Sequence, residues 1–425
     1  MNFDEIYTHY EIDESFDNLI IDKEKKLTKE FNKLEAIAEY NQLKVLKSFN
    51  KNNLNTQDFI TATGYGYADV GREKVEKIFA DIFKAEDALV RPSIVAGTHA
   101  LSLVLFALLN HGDQMVAITD DPYDTMRQVI GIAGDKKGNL LSKGIKYEKL
   151  PLDNNNLIDY KNISKVVNSK TKLALIQRST GYTQRRAFTI AEIQKAIYEI
   201  KAINPNTIVF IDNCYGEFTE YKEPIEIGAD ILAGSLIKNL GGGIAITGGY
   251  ICGRSDLIEY CSNTLTAPGI GKDEGLSFGT SRSVLQGLYF APQIVKEAIK
   301  VGMLFGRVFN DLGYDVIPKA DEPKSDVVQA IKFKDPDKVI TFCKAIQETS
   351  TVDSNLIPEP FPMPGYEDPV IMAAGGFVEG STSELSADGP LREPYIAYLQ
   401  GGLNYYHGKL ALKLVLSRFK KQGYI

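Results

Sequence analysis

At 425 residues the chain outgrows one compact core, so two or three domains, or one large α/β domain with a satellite, are expected. Hydrophobic residues at 44% and charged residues at 24%, with 36 Gly and 17 Pro, exclude both a disordered chain and a disulfide mini-protein. Forty-eight Lys and Arg against 55 Asp and Glu leave −7, which gives no positive field for phosphate polymers; nucleic acid and anionic membranes are not expected partners.

The N-terminus, MNFDEIYTHYEIDESFDN, is acidic and lacks the basic start and apolar stretch of a signal peptide. The longest apolar stretch, Ala100 to Leu109, is about half the roughly 20 residues a membrane helix needs. A soluble cytoplasmic protein is expected. From Glu14 to about Asn50 the chain is Lys- and Glu-rich with Phe31, Leu34 and Ile37 at helical intervals, which predicts one amphipathic helix in an N-terminal arm over residues 1–60. REKVEKIFADIF predicts a second helix. Strands and helices then alternate: DALV, QMVAIT, KLALIQ, TIVFID, DILAGS and GGYICG read as strands, and ALSLVLFALL and TIAEIQKAIYEIKAI as helices. This alternation predicts an α/β fold with a mostly parallel sheet in a large domain over 61–300. A long helix is expected between Ser281 and Asn310, kinked by Pro292. Beyond it, VVQAIKF, ITFCKAIQE, VIMAAGGF and YIAYLQGGL predict a smaller C-terminal α/β domain over 301–425, with the Pro-rich NLIPEPFPMPGYEDP as an ordered loop.

Chemistry concentrates in VFIDNCYGEFTE and DILAGSLIKNLGGGIAITGGY. Asp212 ends an apolar strand, and ligands bind at the carboxyl ends of strands in open parallel sheets. Lys238 follows the next strand, three positions after Ser235 and just before Gly241, Gly242 and Gly243, small residues that admit a planar ligand. Asp212 alone fits a cap and Lys238 alone a solvated charge. Together they are harder to dismiss. Gly97 and Thr98 open a long apolar helix, and the unpaired N–H groups of a helix start make a phosphate cradle, although such a pair is more often only a cap. There is no GxxxxGK[ST], and GGGIAITGG precedes a strand and fails the GxGxxG spacing, so nucleotide and dinucleotide readings are demoted. Cys214, Cys252, Cys261 and Cys343 lack CxxC spacing, and His9, His99, His111 and His407 lie far apart. Neither a metal centre nor a disulfide framework is expected.

The order of Gly97-Thr98, Tyr123 in DDPYDT, strand-end Asp212 and then Ser235-x-x-Lys238 resembles the fold-type-I pyridoxal-phosphate enzymes. More narrowly, GYGYADVGREKVEKIFADIF, SIVAGTHALS, IQRSTGY, VFIDNCYGEF and AGSLIKNLGGGIA are similar to the methionine γ-lyase family also labelled aluminium-resistance proteins, which are cystathionine β-lyase-like. The similarity spans nearly the whole chain.

That resemblance implies pyridoxal 5′-phosphate as cofactor and a role for each residue. Lys238 would form the Schiff base and later move protons, which requires a lowered amine pKa. Asp212 would pair with the pyridinium nitrogen, and Tyr123 would stack on the ring. Gly97, Thr98 and Ser235 would bind the phosphate, with His99 and Tyr215 beside the cofactor. Tyr65 and Tyr67 would reach across a homodimer or homotetramer interface into a neighbour's site. Arg392, with Arg178 and Arg282 as rivals, would take the substrate carboxylate, because guanidinium binds it bidentately. The implied activity is a carbon–sulfur lyase on a sulfur-containing amino acid, giving a 2-oxo acid, ammonia and a thiol. An aminotransferase and a non-catalytic pyridoxal-phosphate-binding regulator are the alternatives. One departure stands out: Ile237 precedes the lysine where the well-characterised lyases of this kind carry a Ser-x-Thr-Lys motif.

Overall fold

The Lys- and Glu-rich start is helical, but not as one helix. The computed structural model describes residues 3–134, 137–363 and 366–425. In it α1 (Asp4–Tyr10) is followed by α2 (Phe16–Lys26) and α3 (Thr28–Lys51). The break falls at Leu27, whose φ of −96° and ψ of 1° leave the helical region while its side chain is buried. Buried Asn41 of α3 donates to the carbonyl oxygens of Phe218 at 3.4 Å and Glu220 at 3.0 Å, tying the arm to the body of the protein.

Among the described residues seven strands form the larger sheet: β1 (Asp87–Arg91), β2 (Gln114–Ala117), β3 (Lys146–Lys149), β4 (Thr171–Gln177), β5 (Ile208–Asp212), β6 (Ile231–Ser235) and β7 (Gly249–Gly253). Their order is β1-β7-β6-β5-β4-β2-β3. Pairings from β6 across to β3 are parallel, whereas β7 runs antiparallel to both β6 and β1. The expected mostly parallel α/β fold is present. Alternate side chains of a strand face opposite ways, and β5 uses both faces: Val209 and Ile211 enter one apolar layer, Ile208 and Phe210 the other. Each such buried side chain contributes roughly 1.5–3 kcal/mol.

The covering helices are α4 (Val70–Phe83), α5 (Gly97–Leu108), α6 (Asp124–Ile130), α7 (Ile163–Val166), α8 (Ile190–Ile203) and α9 (Ser255–Leu265). Ile78 and Phe79 of α4 and Ile193 and Ile197 of α8 pack on the Val209 side, and Leu101 and Val104 of α5 and Ile258 of α9 on the Phe210 side. Helix α8 starts where it does because Thr189 and Glu192 form a capping box: the Thr189 hydroxyl accepts from the Glu192 N–H at 3.2 Å and the Glu192 carboxylate from the Thr189 N–H at 2.9 Å.

Next, α10 (Ser281–Asp311) runs unbroken through Pro292. The lost backbone donor is tolerated because Leu288, Ala291 and Val295 around it are all buried. A second sheet follows, made of β8 (Asp315–Ile317), β9 (Val328–Lys332), β10 (Val370–Ala373), β11 (Ser386–Pro390) and β12 (Ile396–Gln400), in the order β10-β11-β12-β9-β8 and antiparallel throughout. Helix α11 (Pro336–Glu348) packs on this sheet, and α12 (Tyr405–Lys421) packs against α11 and α10. The Pro-rich segment, residues 355–369, lies between α11 and β10, with residues 364–365 outside the described chain. No described helix is long and apolar enough to cross a membrane.

Candidate active site

Three parallel strands, β4, β5 and β6, end on one side of the larger sheet in Gln177, Asp212 and Ser235, and all three residues line one cavity of about 320 Å³. Its far wall comes from the second sheet, through Val328, Asp388, Tyr398 and Gln400. A cavity of this size between two layers suits a small organic molecule.

Asp212 sits at the last position of β5, 4% exposed, with Oδ1 accepting the Cys214 N–H at 3.1 Å. Burial pushes its carboxyl up to about 6, against the pull of the Cys214 hydrogen bonds, Arg185 and Lys238. Lys238 follows β6, and its ammonium donates to the Gly380 carbonyl at 3.1 Å and stands 5.0 Å from the centroid of the Tyr215 ring. Loss of solvent around the amine lowers its pKa, while Cys214, Asp388, Glu217 and Asp212 pull it back up. The Ser383 hydroxyl donates to the Lys238 carbonyl at 2.8 Å, so the connection between β10 and β11 holds this lysine from the second sheet.

Helix α5 begins at the cavity with no side chain capping its first turn. Gly97 eases the approach there: a Cβ would lie 3.3 Å from both Cys214 Sγ and Ser235 Cβ, a tight fit that would push these neighbours by a few tenths of an ångström. The Thr98 hydroxyl is 2.8 Å from the Tyr123 hydroxyl and 3.2 Å from that of Thr125. Tyr123 precedes α6, its N–H donates to Gln177 Oε1 at 2.9 Å, and burial keeps its phenol well above the ordinary range.

Gly97, Thr98, Tyr123, Asp212, Tyr215, Ser235 and Lys238 thus line the same cavity. The other residues singled out from sequence do not. His99 turns back to accept the Val95 N–H at its Nδ1, at 3.2 Å, and does not line the cavity. Arg178 corrects a second expectation. It is fully buried behind the wall, donating to Asn213 at 3.0 Å, Thr219 at 3.0 Å and Glu220 at 3.1 Å, with Glu223 at 3.8 Å. The reason is strand alternation: Gln177 faces the cavity, so its neighbour faces away. Arg392 stands outside, its Nη1 3.0 Å from Asp368 and 4.0 Å from the cavity residue Asp124. Arg282 covers the Phe59 ring in a different groove. Tyr65 and Tyr67 are 69% and 64% exposed, pack on each other with ring centroids 5.6 Å apart, and do not line this chain's cavity.

Sequence reading missed several wall residues. Tyr182, Tyr366 and Tyr398 come from three separate segments, and Asp388 lies in SADGP, whose composition signals a turn. Arg185 was also missed. Its guanidinium donates to the carbonyls of Gln177 at 3.0 Å and Ser179 at 2.6 Å and packs 4.2 Å over the Phe188 ring, fixing the segment after β4. Its one signal was the Arg pair in TQRRAF.

The residues present fit pyridoxal phosphate. An uncapped helix start with Thr98 and Ser235 hydroxyls suits a phosphate. A desolvated lysine suits an aldehyde, and a buried carboxylate with a raised pKa needs a cationic partner such as a pyridinium N–H.

Comparison with known proteins decides the family. The family model for methionine gamma-lyase matches residues 16–420. The chain belongs to the methionine gamma-lyase family. It is 45% identical to the solved carbon-sulfur lyase involved in aluminum resistance from Clostridium novyi NT, with 98% of each chain covered and a TM-score of 0.93. It is also similar to the uncharacterized protein YnbB of Bacillus subtilis (strain 168), 47% identical over 89% of this chain and 90% of that protein. More distantly, the pyridoxal-5′-phosphate dependent protein YhfS of Escherichia coli aligns over 90% of this chain and 96% of its own at 18% identity and a TM-score of 0.62. That likeness shows the shared fold-type-I architecture.

Proposed function

We propose that this member of the family is a pyridoxal-phosphate-dependent carbon–sulfur lyase acting on a sulfur-containing amino acid. The observation that carries the reading is the meeting of Asp212 and Lys238, from successive parallel strands, across one cavity whose floor is an uncapped helix start. Membership in the methionine gamma-lyase family and the 45% identity to a carbon-sulfur lyase support it.

Bound there, pyridoxal phosphate would supply an aldehyde that condenses with amines and a ring that stores the electron pair of a broken bond. The chain's own residues do the rest. Gly97, Thr98 and Ser235 hold the phosphate, Asp212 accepts from the ring nitrogen, and Tyr123 and Tyr215 enclose the ring. Burial lowers the amine pKa of Lys238, which favours its role as the group that takes the proton from the substrate Cα. The carbon–sulfur bond at Cβ or Cγ breaks, the sulfur leaves as a thiol once protonated, and one water converts the remaining unsaturated amine to a 2-oxo acid and ammonia. Arg392 reaches the substrate carboxylate only by releasing Asp368. A second copy of the chain completes the site, with the exposed Tyr65 and Tyr67 entering the neighbour's cavity in a homodimer or homotetramer. The reaction is read as cytoplasmic.

Incubating the cofactor-loaded protein with cystathionine, methionine and cysteine, with no amino acceptor present, tests the reading. Equal release of thiol, ammonia and 2-oxo acid from at least one of them is expected. Amino transfer to an added 2-oxo acid without thiol release would replace it with an aminotransferase, and a yellow protein inert to all three would make it a binding protein.

A further inference from the structure

A sulfur anion is a poor guest in this cavity. Among the described residues lining it, Asp124, Asp212 and Asp388 carry acid groups and Lys238 alone carries a base, so a departing thiolate is both desolvated and repelled. The sulfur needs a proton as the carbon–sulfur bond breaks. Most proton-bearing groups of the cavity are ill suited to give one. Burial holds the phenols of Tyr123, Tyr182, Tyr215, Tyr366 and Tyr398 above their ordinary range, and the Cys214 thiol well above its own. The Tyr123 hydroxyl is also tied to the helix start, 2.8 Å from that of Thr98. Asp124 stands beside two guanidinium groups, 3.6 Å from Arg127 and 4.0 Å from Arg392.

Asp388 is placed differently. It pairs with Tyr398 across β11 and β12, and Gln400, two residues along β12, shares the Tyr398 face, so strand alternation sets all three on the cavity wall. The side chain is 6% exposed, and Gln400 Nε2 donates to Oδ2 at 2.9 Å while the Tyr182 hydroxyl also bonds the carboxyl. The groups assigned to the cofactor, Gly97, Thr98, Asp212 and Ser235, belong to the larger sheet and its helix, which leaves this opposite wall to the substrate. Resting on the reading of the protein as a carbon–sulfur lyase, we propose that Asp388 is the general acid of the reaction and hands its proton to the departing sulfur. The electron pair of the carbon–sulfur bond leaves on sulfur, the sulfur–hydrogen bond forms as the Asp388 oxygen–hydrogen bond breaks, and Asp388 remains as a carboxylate. Lys238 has meanwhile gained the proton of Cα, and passing that proton back to Asp388 through water resets both groups. The titratable groups facing Asp388 are the hydroxyls of Tyr182, Tyr215, Tyr366 and Tyr398, the Cys343 thiol of α11 and the Lys238 ammonium. Burial pushes the carboxyl up to about 7, against the pull of Tyr182, Lys238 and Gln400, so the acid form is present near neutral pH.

Leaving groups test the assignment, because chloride departs without a proton and a thiol does not. The comparison is between the thioether that the wild-type protein cleaves fastest and β-chloroalanine. In the near-isosteric Asp388→Asn the ratio of thiol release to chloride release is expected to fall by ~100-fold or more, since general-acid transfer is worth roughly 10²–10⁴-fold. A smaller fall leaves the proton to the Lys238 ammonium and overturns the proposal. Tyr182→Phe keeps the ring but removes a donor that stabilises the carboxylate, so the alkaline limb of kcat for the thioether is expected to move up by at least ~0.5 pH unit. A limb that stays or moves down overturns the proposal even if Asp388→Asn does not fold. Without any turnover, the infrared difference between the cofactor-loaded wild type and Asp388→Asn should show a protonated carboxyl band at about pH 6 that is gone by about pH 8, and no band at about pH 6 overturns it as well. A wild-type protein that cleaves no thioether removes the lyase and the acid together; one that cleaves thioethers while Asp388→Asn keeps the ratio removes the acid alone.

Discussion

Replacing Asp212 with asparagine should stabilise the cofactor-free chain while weakening its hold on pyridoxal phosphate. The carboxyl moves from an ordinary 3.8 to about 6 on folding because burial disfavours the ionised form. At about 1.4 kcal/mol per pH unit, the ionised group costs the folded state about 3 kcal/mol above pH 6. The sign follows from proton counting: the folded chain binds the proton more tightly, so wild-type stability is whole below pH 4 and falls as pH rises through 6. The Asp212→Asn chain carries no such charge, and the amide keeps the shape of the site. In a chain of this length the difference amounts to about 3 °C in melting temperature at pH 8, about half that at pH 5, and nothing below pH 4. Thermal melts of the stripped proteins at the three pH values measure it. A variant less stable than wild type at pH 8, or a gain independent of pH, would show that the carboxylate is already paired within the chain and is not waiting for a cationic ring.

Three further outcomes are expected. Thr98→Val removes a hydroxyl from the helix start at the cavity and from Tyr123, and should weaken cofactor binding about 10-fold in a spectral titration without lowering the melting temperature by more than a degree or so. Arg178→Met strands the buried Glu223 and Asn213 and should cost about 3–5 kcal/mol in urea unfolding, with the KM of the folded fraction unchanged; a raised KM at normal stability would return Arg178 to the substrate. Arg392→Gln should raise KM more than it lowers kcat if the guanidinium leaves Asp368 to bind substrate, and an unchanged KM removes it from that role.

Much of the larger sheet was readable in the sequence because its central strands are continuous apolar runs, a pattern that only burial on both faces explains. Strand β3 was not: KYEK sits at the sheet edge with partly exposed charges and carries no apolar signal. Strand β11 escaped for the opposite reason. Every residue of SADGP is buried between two partners, so its position outweighs a composition that signals a turn. That strand carries Asp388, which is why the acidic wall was invisible. The long helix through Pro292 was legible, whereas the split at Leu27 is set by packing that local propensity does not encode. Within the site, Asp212, Ser235 and Lys238 were legible because strand ends and spacing place them. Arg178 was misplaced because its short motif does not say which face of the strand end it takes.

A covalent link between Lys238 and a pyridoxal-phosphate aldehyde is the step on which the proposed chemistry turns, and one measurement reaches it directly. Borohydride should bleach the visible band of the cofactor-loaded protein, and peptide mass mapping should then find the pyridoxyl group on Lys238, with Lys238→Ala neither coloured nor labelled. Label on another lysine, or a protein that stays colourless when pyridoxal phosphate is added, would contradict it.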